Sequence, residues 1–227
     1  MCLVYFKPSD ILRQCQRLAN LPKQLYVSKR VLLKVYDGQM NEAKTKKVKF
    51  ARIIIAYPVV LIVVSVVANL WLFGVNPMAV SMPSQGVITA LIIAAVMLLA
   101  NHTWLMTSTE LTRLKFNMHA TPEEREASEY AKEAVSLEGS QELERRHNAH
   151  GNATENVVYF VLLATLLCSV SPVDIAAQVW FLGFAIGRLG HTFSYLTGRD
   201  SLRGIFMSIS LMSLYGLASY LLISLIV

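Results

Sequence analysis

The chain has 227 residues, 54% of them hydrophobic and only 16% charged, whereas an average soluble domain carries roughly a quarter charged residues. The apolar residues stand in unbroken blocks rather than at a period that leaves one face wet, which excludes an ordinary soluble globule and points to segments that meet lipid all round. The formal net charge of +6 is unevenly placed: Lys7, Arg13, Arg17, Lys23, Lys29, Arg30, Lys34, Lys44, Lys46, Lys47, Lys49 and Arg52 precede the first apolar block, opposed only by Asp10, Asp37 and Glu42. Such a segment is drawn to anionic lipid headgroups by roughly 1 kcal/mol per basic residue near the surface, and in a membrane protein nucleic acid is not the expected partner. Cys2, Cys15 and Cys168 form no disulfide framework.

Taken in chain order, residues 1–52 read as a basic amphipathic arm. Ser9 and Asp10 are placed to cap a helix carrying Ile11, Leu12, Cys15 and Leu18 on one side. Its scarcity of acids also suits a transit peptide, but an interfacial or docking role is preferred. Ile53 to Gly74 is apolar and long enough to span a bilayer, with Pro58 near its start. Residues 76–85 hold two prolines and no charge and form a loop. A second span runs from Gly86 to about Thr109. Residues 116–141, dense in Glu123, Glu124, Glu126, Glu129 and Glu133, form a solvated loop with room for helical turns. The apolar stretch 157–170 is too short alone, so its helix extends back to Glu144. The last two spans are Val173–Leu196 and Leu202–Val227.

Five spans place the basic arm, the Arg113–Arg146 loop and the Gly198–Arg203 turn on one side. The uncharged connections at 75–85 and 171–174 fall on the other, as the positive-inside rule requires. The N-terminus is thus expected on the cytoplasmic or matrix side. The expected fold is an all-α polytopic transmembrane bundle, divided into an arm (1–52), an extra N-terminal span and loop (53–83) and a four-helix membrane domain (84–227).

Ionisable residues inside spans are costly and default to paired or functional roles. Arg145, Asn152 and Glu155 lie along one face of the third helix, and Arg188, His191 and Tyr195 share a face of the fourth. Arg199, Asp200 and Arg203 stand at the turn before the last, with Asp200 or Ser201 placed to cap it. One reading makes Glu155 and Arg188 a buried structural ion pair, whose disruption would cost about 3–5 kcal/mol. The convergence of so many polar groups favours the other reading, a pocket for a polar, mostly anionic ligand. No metal is expected. Glu144-x-x-His147 is half of a di-iron motif without its second half, and His147 and His150 lack a third ligand. His102 suits an interhelical hydrogen bond, and Gly183 with Gly187 suits close helix packing.

The segment Glu144-Arg-Arg-His-Asn-Ala-His-Gly-Asn152-Ala-Thr-Glu155-Asn156 resembles the second-helix signature of the MAPEG family, membrane-associated proteins in eicosanoid and glutathione metabolism. Arg188-Leu-Gly-His191-Thr-Phe-Ser-Tyr195 and Arg203 resemble that family's third helix and the start of its fourth. Arg113, ahead of Ala120-Thr-Pro-Glu-Glu124, resembles the arginine before its first loop. The likeness covers about residues 84–227, leaving the arm and the 53–74 span as additions to a four-helix core. It implies a homotrimer that binds glutathione between subunits, with Arg113, Asn152, Glu155, Arg188, Tyr195 and Arg203 as contacts. Arg113 would come from a neighbouring chain and Glu155 would take the ammonium. Arg203 and Tyr195 are the implied catalytic pair, Arg203 holding the thiolate at a helix N-terminus. The implied substrate is a lipophilic electrophile or peroxide arriving from the membrane.

Four positions depart from the family pattern. Asn148 stands where an arginine is usual and Gly151 where some members have one, and Gly204 and Met207 replace a serine and a tyrosine of prostaglandin E synthase-like members. Ser208 or Ser210 would have to supply the missing hydroxyl. Two functions are therefore carried forward. One is a glutathione-dependent transferase or peroxidase. The other is an accessory subunit that keeps the fold within a larger membrane assembly.

Overall fold

A computed structural model describes residues 26–128 and 135–227, with side chains from Lys47 onward. The helix expected after Ser9-Asp10, and Glu129 and Glu133, lie outside the described residues. The chain divides into two units, Met1–Tyr57 and Pro58–Val227. In the first, the described part is helical. It belongs to α1 (Tyr26–Val67), which continues past Pro58 and ends in a π-helical turn at Ala68–Phe73.

The second unit is a bundle of α1's last turns, α2 (Gln85–Lys115), the short α3 (Pro122–Glu126), α4 (Leu137–Cys168), α5 (Asp174–Leu196) and α6 (Asp200–Ser224). Local chemistry sets the starts. Ser84 accepts from the Val87 N–H at 3.2 Å, Thr121 from Glu124 at 3.2 Å and Ser136 from Gly139 at 3.0 Å, so each hydroxyl satisfies one orphan donor of a helix N-terminus. The expected polar loop is shorter than its sequence suggests, because α4 begins at Leu137 and runs for 32 residues. The start of α6 differs from expectation. Arg199 is its N-cap residue with no side-chain cap, and Asp200 lies in the first turn, where its carboxylate pairs with Arg203 at 3.3 Å.

Among the described residues, four helical segments are long and apolar enough to cross a membrane: Lys47–Phe73, α2, α4 and α6. The fifth expected span, α5, is 23 residues and about 35 Å long but falls outside that set, because Gln178, Arg188 and His191 interrupt its apolar run. Its position explains the difference. It packs against α2, α4 and α6 and buries Ala176, Ala177, Trp180, Phe181, Phe184, Ala185 and Arg188. A helix screened from lipid by its neighbours can carry polar side chains inward.

The two uncharged connections meet at one end of this bundle. Val80 bridges Val170, the Ser171 N–H donates to the Ala79 carbonyl at 3.0 Å, and the Met78 N–H donates to Ser224 at the end of α6 at 2.9 Å. The buried Tyr220 hydroxyl accepts from the N–H of Asn76 at 3.2 Å and of Val173 at 2.8 Å. Backbone donors that would be costly to leave unpaired beside lipid are thus satisfied. The other end gathers Arg113, Lys115, Arg145 and the α5–α6 turn, so the charge asymmetry read along the sequence is a physical separation in the fold.

The added helix is held to α6 and α5 by hydrogen bonds as well as apolar contact. Asn69, fully buried in the π turn, donates to the Gly216 carbonyl at 2.8 Å and to Ser219 at 2.9 Å, and accepts from the Trp180 indole at 2.8 Å. One turn earlier, Ser65 donates to the Leu61 and Met212 carbonyls. Where α5 meets α6 the backbones approach closely, as the Gly183–Gly187 spacing predicts. A Cβ on Gly187 would stand 2.7 Å from the Ser210 backbone nitrogen, which no side-chain motion relieves, whereas one on Gly204 would meet nothing within 4 Å. Gly187→Ala is therefore expected to lower the thermal unfolding midpoint of the detergent-solubilised protein. Gly204→Ala, by contrast, should leave the midpoint unchanged or raise it slightly, through the better helix propensity of alanine. Equal midpoints for the two variants would remove the close approach as a stability determinant.

Candidate functional site

The polar face of α4 is longer than Asn152 and Glu155 alone suggest. Gln141, Glu144, Asn148, Asn152 and Glu155 recur at intervals of three and four, so they form one stripe. Its start lines a cleft of about 360 Å³ at the basic end of the bundle, completed by Arg145, Tyr195, Gly198, Asp200 and Arg203. The Arg203 guanidinium lies over the Tyr195 ring, 5.1 Å from its centroid, a cation–π geometry. Gly198 makes the turn between α5 and α6 with φ +68°, and a Cβ there would be 3.0 Å from an Arg145 nitrogen. The turn thus needs glycine for its backbone and for the arginine beside it. Two guanidiniums and two carboxylates around one small cleft suit a ligand that carries both signs of charge.

Deeper along the same stripe, Asn152 accepts from Arg188 at 2.7 Å. Arg188 is fully buried. Its other contact is the Met207 sulfur at 3.7 Å, a weak acceptor, and its Nε has no partner. Next to it the buried His191 leaves Nδ1 unpartnered and packs on Tyr195, ring centroids 5.6 Å apart. A continuous series thus runs from Arg188 through His191 and Tyr195 to Arg203 at the cleft.

The six expected contact residues fall in three places. Tyr195 and Arg203 line the cleft; Asn152 and Arg188 pair directly behind it; Glu155 and Arg113 are elsewhere. The structural ion pair between Glu155 and Arg188 is not formed within the chain, because Arg188 turns to Asn152 and Glu155 is exposed. Arg113 pairs with Glu110 at 2.6 Å, and its other terminal nitrogen meets His147 at 3.3 Å. His147 projects from α4 well away from the stripe, roughly 100° around the axis, so Arg113 does not reach this chain's own cleft. Sequence reasoning missed Gln141 and the roles of Glu144 and Asn148 as cleft residues, although extending the Asn152–Glu155 spacing backward along the helix would have found them. His102 stacks near His150, centroids 5.1 Å apart, across α2 and α4. Among the described residues no group of three His, Cys, Asp or Glu side chains is placed to hold a metal.

A polar stripe on α4, a buried arginine and histidine on α5 and an arginine at the start of α6 form one arrangement. Residues 91–223 match the MAPEG family, well over half the chain. The chain belongs to the MAPEG family. The matched range opens inside α2 and closes at the last turn of α6, which leaves α1 outside the family core. No curated protein matches the chain. As a member of the MAPEG family, it belongs with proteins of glutathione and eicosanoid metabolism.

The Arg188–Asn152 contact can be tested directly. Asn152→Leu removes the acceptor and strands a buried guanidinium, which should destabilise the protein by roughly 1–3 kcal/mol. Adding Arg188→Met removes the stranded charge as well, and the double variant should recover most of that loss in a thermal or denaturant melt. A double variant no more stable than Asn152→Leu alone would show that the two side chains do not act as a pair.

Proposed function

We propose that this protein is a glutathione-dependent transferase or peroxidase acting on lipophilic electrophiles within the membrane. The observation that carries this reading is the cleft, where Tyr195 and Arg203 stand with Arg145 and Glu144 in a volume suited to a tripeptide. Glutathione presents two carboxylates, one ammonium and a thiol. Arg145 and Arg203 are apt partners for the carboxylates or the thiolate, and Glu144 for the ammonium within the chain's own cleft. Arg203, four residues into α6 and beside Tyr195, is the group assigned to hold the thiolate. The helix N-terminus and the guanidinium act in the same direction there, since both favour the charged sulfur.

Assembly enters the same proposal. Glu155 is exposed about 20 Å from the uncharged end of α4, within hydrocarbon depth, where an ionisable side chain calls for a partner. Arg113 is turned away from its own cleft. Both facts support a homotrimer in which a neighbour covers the α2–α4 face, meets Glu155 and lends Arg113. Within the second unit, the end of α1 is seated on α6 and α5, and not on that face, among the described residues. The positive-inside rule favours the basic end on the cytoplasmic or matrix side.

One observation favours the accessory-subunit reading. The hydroxyls nearest the two replaced positions are turned to their own helix, with Ser208 donating to the Gly204 carbonyl at 2.8 Å and Ser210 to that of Met207 at 3.0 Å. Such a site binds glutathione with fewer donors for its sulfur.

Calorimetry on the purified protein tests binding. Saturable glutathione binding is expected, weakened about tenfold or more by Arg203→Ala, the loss appropriate to a hydrogen bond with a charged group. A monodisperse wild type that binds no glutathione would exclude both the transferase and the cofactor. Ultraviolet thiolate absorbance of the bound complex separates the two readings: a thiolate signal at neutral pH that disappears in Arg203→Ala supports the enzyme, and binding without thiolate supports the accessory subunit.

A further inference from the structure

Lys44, Lys46, Lys47, Lys49 and Arg52 lie on α1, immediately before the apolar run from Ile53 to Phe73. That run of 21 residues measures about 31 Å, the thickness of a bilayer's hydrocarbon core. The basic group therefore begins where the hydrocarbon ends. With Lys44 as origin, the five positions fall near roughly 0°, 200°, 300°, 140° and 80° around the helix axis, with no gap wider than about 100°. The arrangement is a collar, not a stripe. Lys47, Lys49 and Arg52 are exposed, and no acidic residue follows Glu42 until Glu110, so the helix supplies no counter-charge of its own there. The collar occupies about 12 Å of axis, a length that Lys and Arg side chains in general can span by reaching along a helix toward one headgroup layer.

We propose that this collar is a binding site for anionic lipid headgroups, gathering several negatively charged lipids around α1. The all-round distribution is what selects this partner. A docked protein touches one side of a helix and needs its charges on that side, whereas a lipid leaflet surrounds the helix and meets charge at every azimuth. The collar lies outside the MAPEG core and is independent of the glutathione reading.

The full chain in detergent, titrated with phosphatidylserine or phosphatidylcholine and read by native mass spectrometry, provides the test. Phosphatidylserine should be retained at least about tenfold better at ~50 mM salt, with the difference collapsing near ~1 M. Lys44→Gln with Lys47→Gln removes one side of the collar and Lys49→Gln with Arg52→Gln another; each pair should reduce the preference by a similar factor. Replacing all five by Gln should abolish it, and replacing the four lysines by Arg should preserve it. A control that neutralises Lys7, Arg13, Arg17, Lys23 and Lys29 should keep it. The proposal is overturned by a wild type without preference, by a preference that survives the fivefold change, or by an equal loss in the control, which would make net charge the cause. Loss from only one of the two pairs overturns it as well, because one-sided dependence is the signature of a docked acidic protein. The paired and arginine variants decide the matter even if the fivefold variant elutes aggregated.

Discussion

A guanidinium sealed inside the bundle, with no carboxylate partner among the described residues, is the constraint around which the rest is arranged. Arg188 is the largest fully buried side chain among the described residues, and its partners are a neutral amide and a thioether. Burying a charge without a counter-charge is expensive, so the positions that limit that cost are narrowly defined. α4 must be rotated so that Asn152 reaches Arg188, which turns the whole stripe from Gln141 to Asn152 toward the cleft. α5 must be the inner helix, which lets it carry Arg188, His191 and Thr192 inside the bundle. Gly187, the residue before Arg188, brings the α6 backbone close enough for Met207 to contribute. What remains uncompensated is positive charge directly behind a cleft lined by Arg145, Arg203, Glu144 and Asp200, and that charge would favour the anionic groups of the ligand proposed above.

The two ends of the bundle treat buried polarity differently. At the uncharged end, Asn69, Ser65 and Tyr220 spend their hydrogen-bonding capacity on backbone, on Ser219 and on Trp180. The buried side-chain polar atoms without partners, among the described residues, belong to Asn101, Arg113, His119, Arg188, His191 and Thr192. All six residues lie in or beyond the basic halves of α2 and α5. Structural polar groups in a membrane bundle are satisfied because lipid offers no alternative; groups without a partner in the chain are open to water, a ligand or a neighbouring chain. The division thus separates a locked end from a working end without reference to the family.

Much of this was legible in the sequence because its signals are local or periodic. Uninterrupted apolar blocks gave the spans, the spacing of Asn152 and Glu155 gave one face of α4, and the Gly183–Gly187 interval anticipated the tight α5–α6 contact. The rest depended on tertiary choice. The sequence offers Arg188 two acceptors on neighbouring turns of α4, Asn152 and Glu155, and helical spacing alone allows either. Rotation of the packed helix decides for Asn152. The start of α6 was misread for a related reason: Asp200 has cap-forming chemistry, but Gly198 with φ +68° turns the chain early, so the aspartate enters the first turn and pairs with Arg203 instead. Asn69 is one polar residue in an apolar run, and nothing in the run itself announces that Gly216, Ser219 and Trp180 converge on it.

The attachment of α1 bears on how such a bundle associates. A helix added to a membrane core hides whichever face it covers, and here the covered face is that of α6 and α5. Polar groups fix that choice: Asn69 has its donors and acceptor matched only where the Gly216 carbonyl, Ser219 and the Trp180 indole lie together, and sliding α1 elsewhere would leave an amide in lipid. Among the described residues the outer faces of α2 and α4 stay open, and on α4 the exposed apolar Val158 and Leu162 flank the exposed carboxylate of Glu155. Apolar residues on that surface are content in lipid; the carboxylate is not. A partner surface bearing a cation would complete the fold, and in the homotrimer proposed above Arg113, directed away from its own cleft, would be that cation.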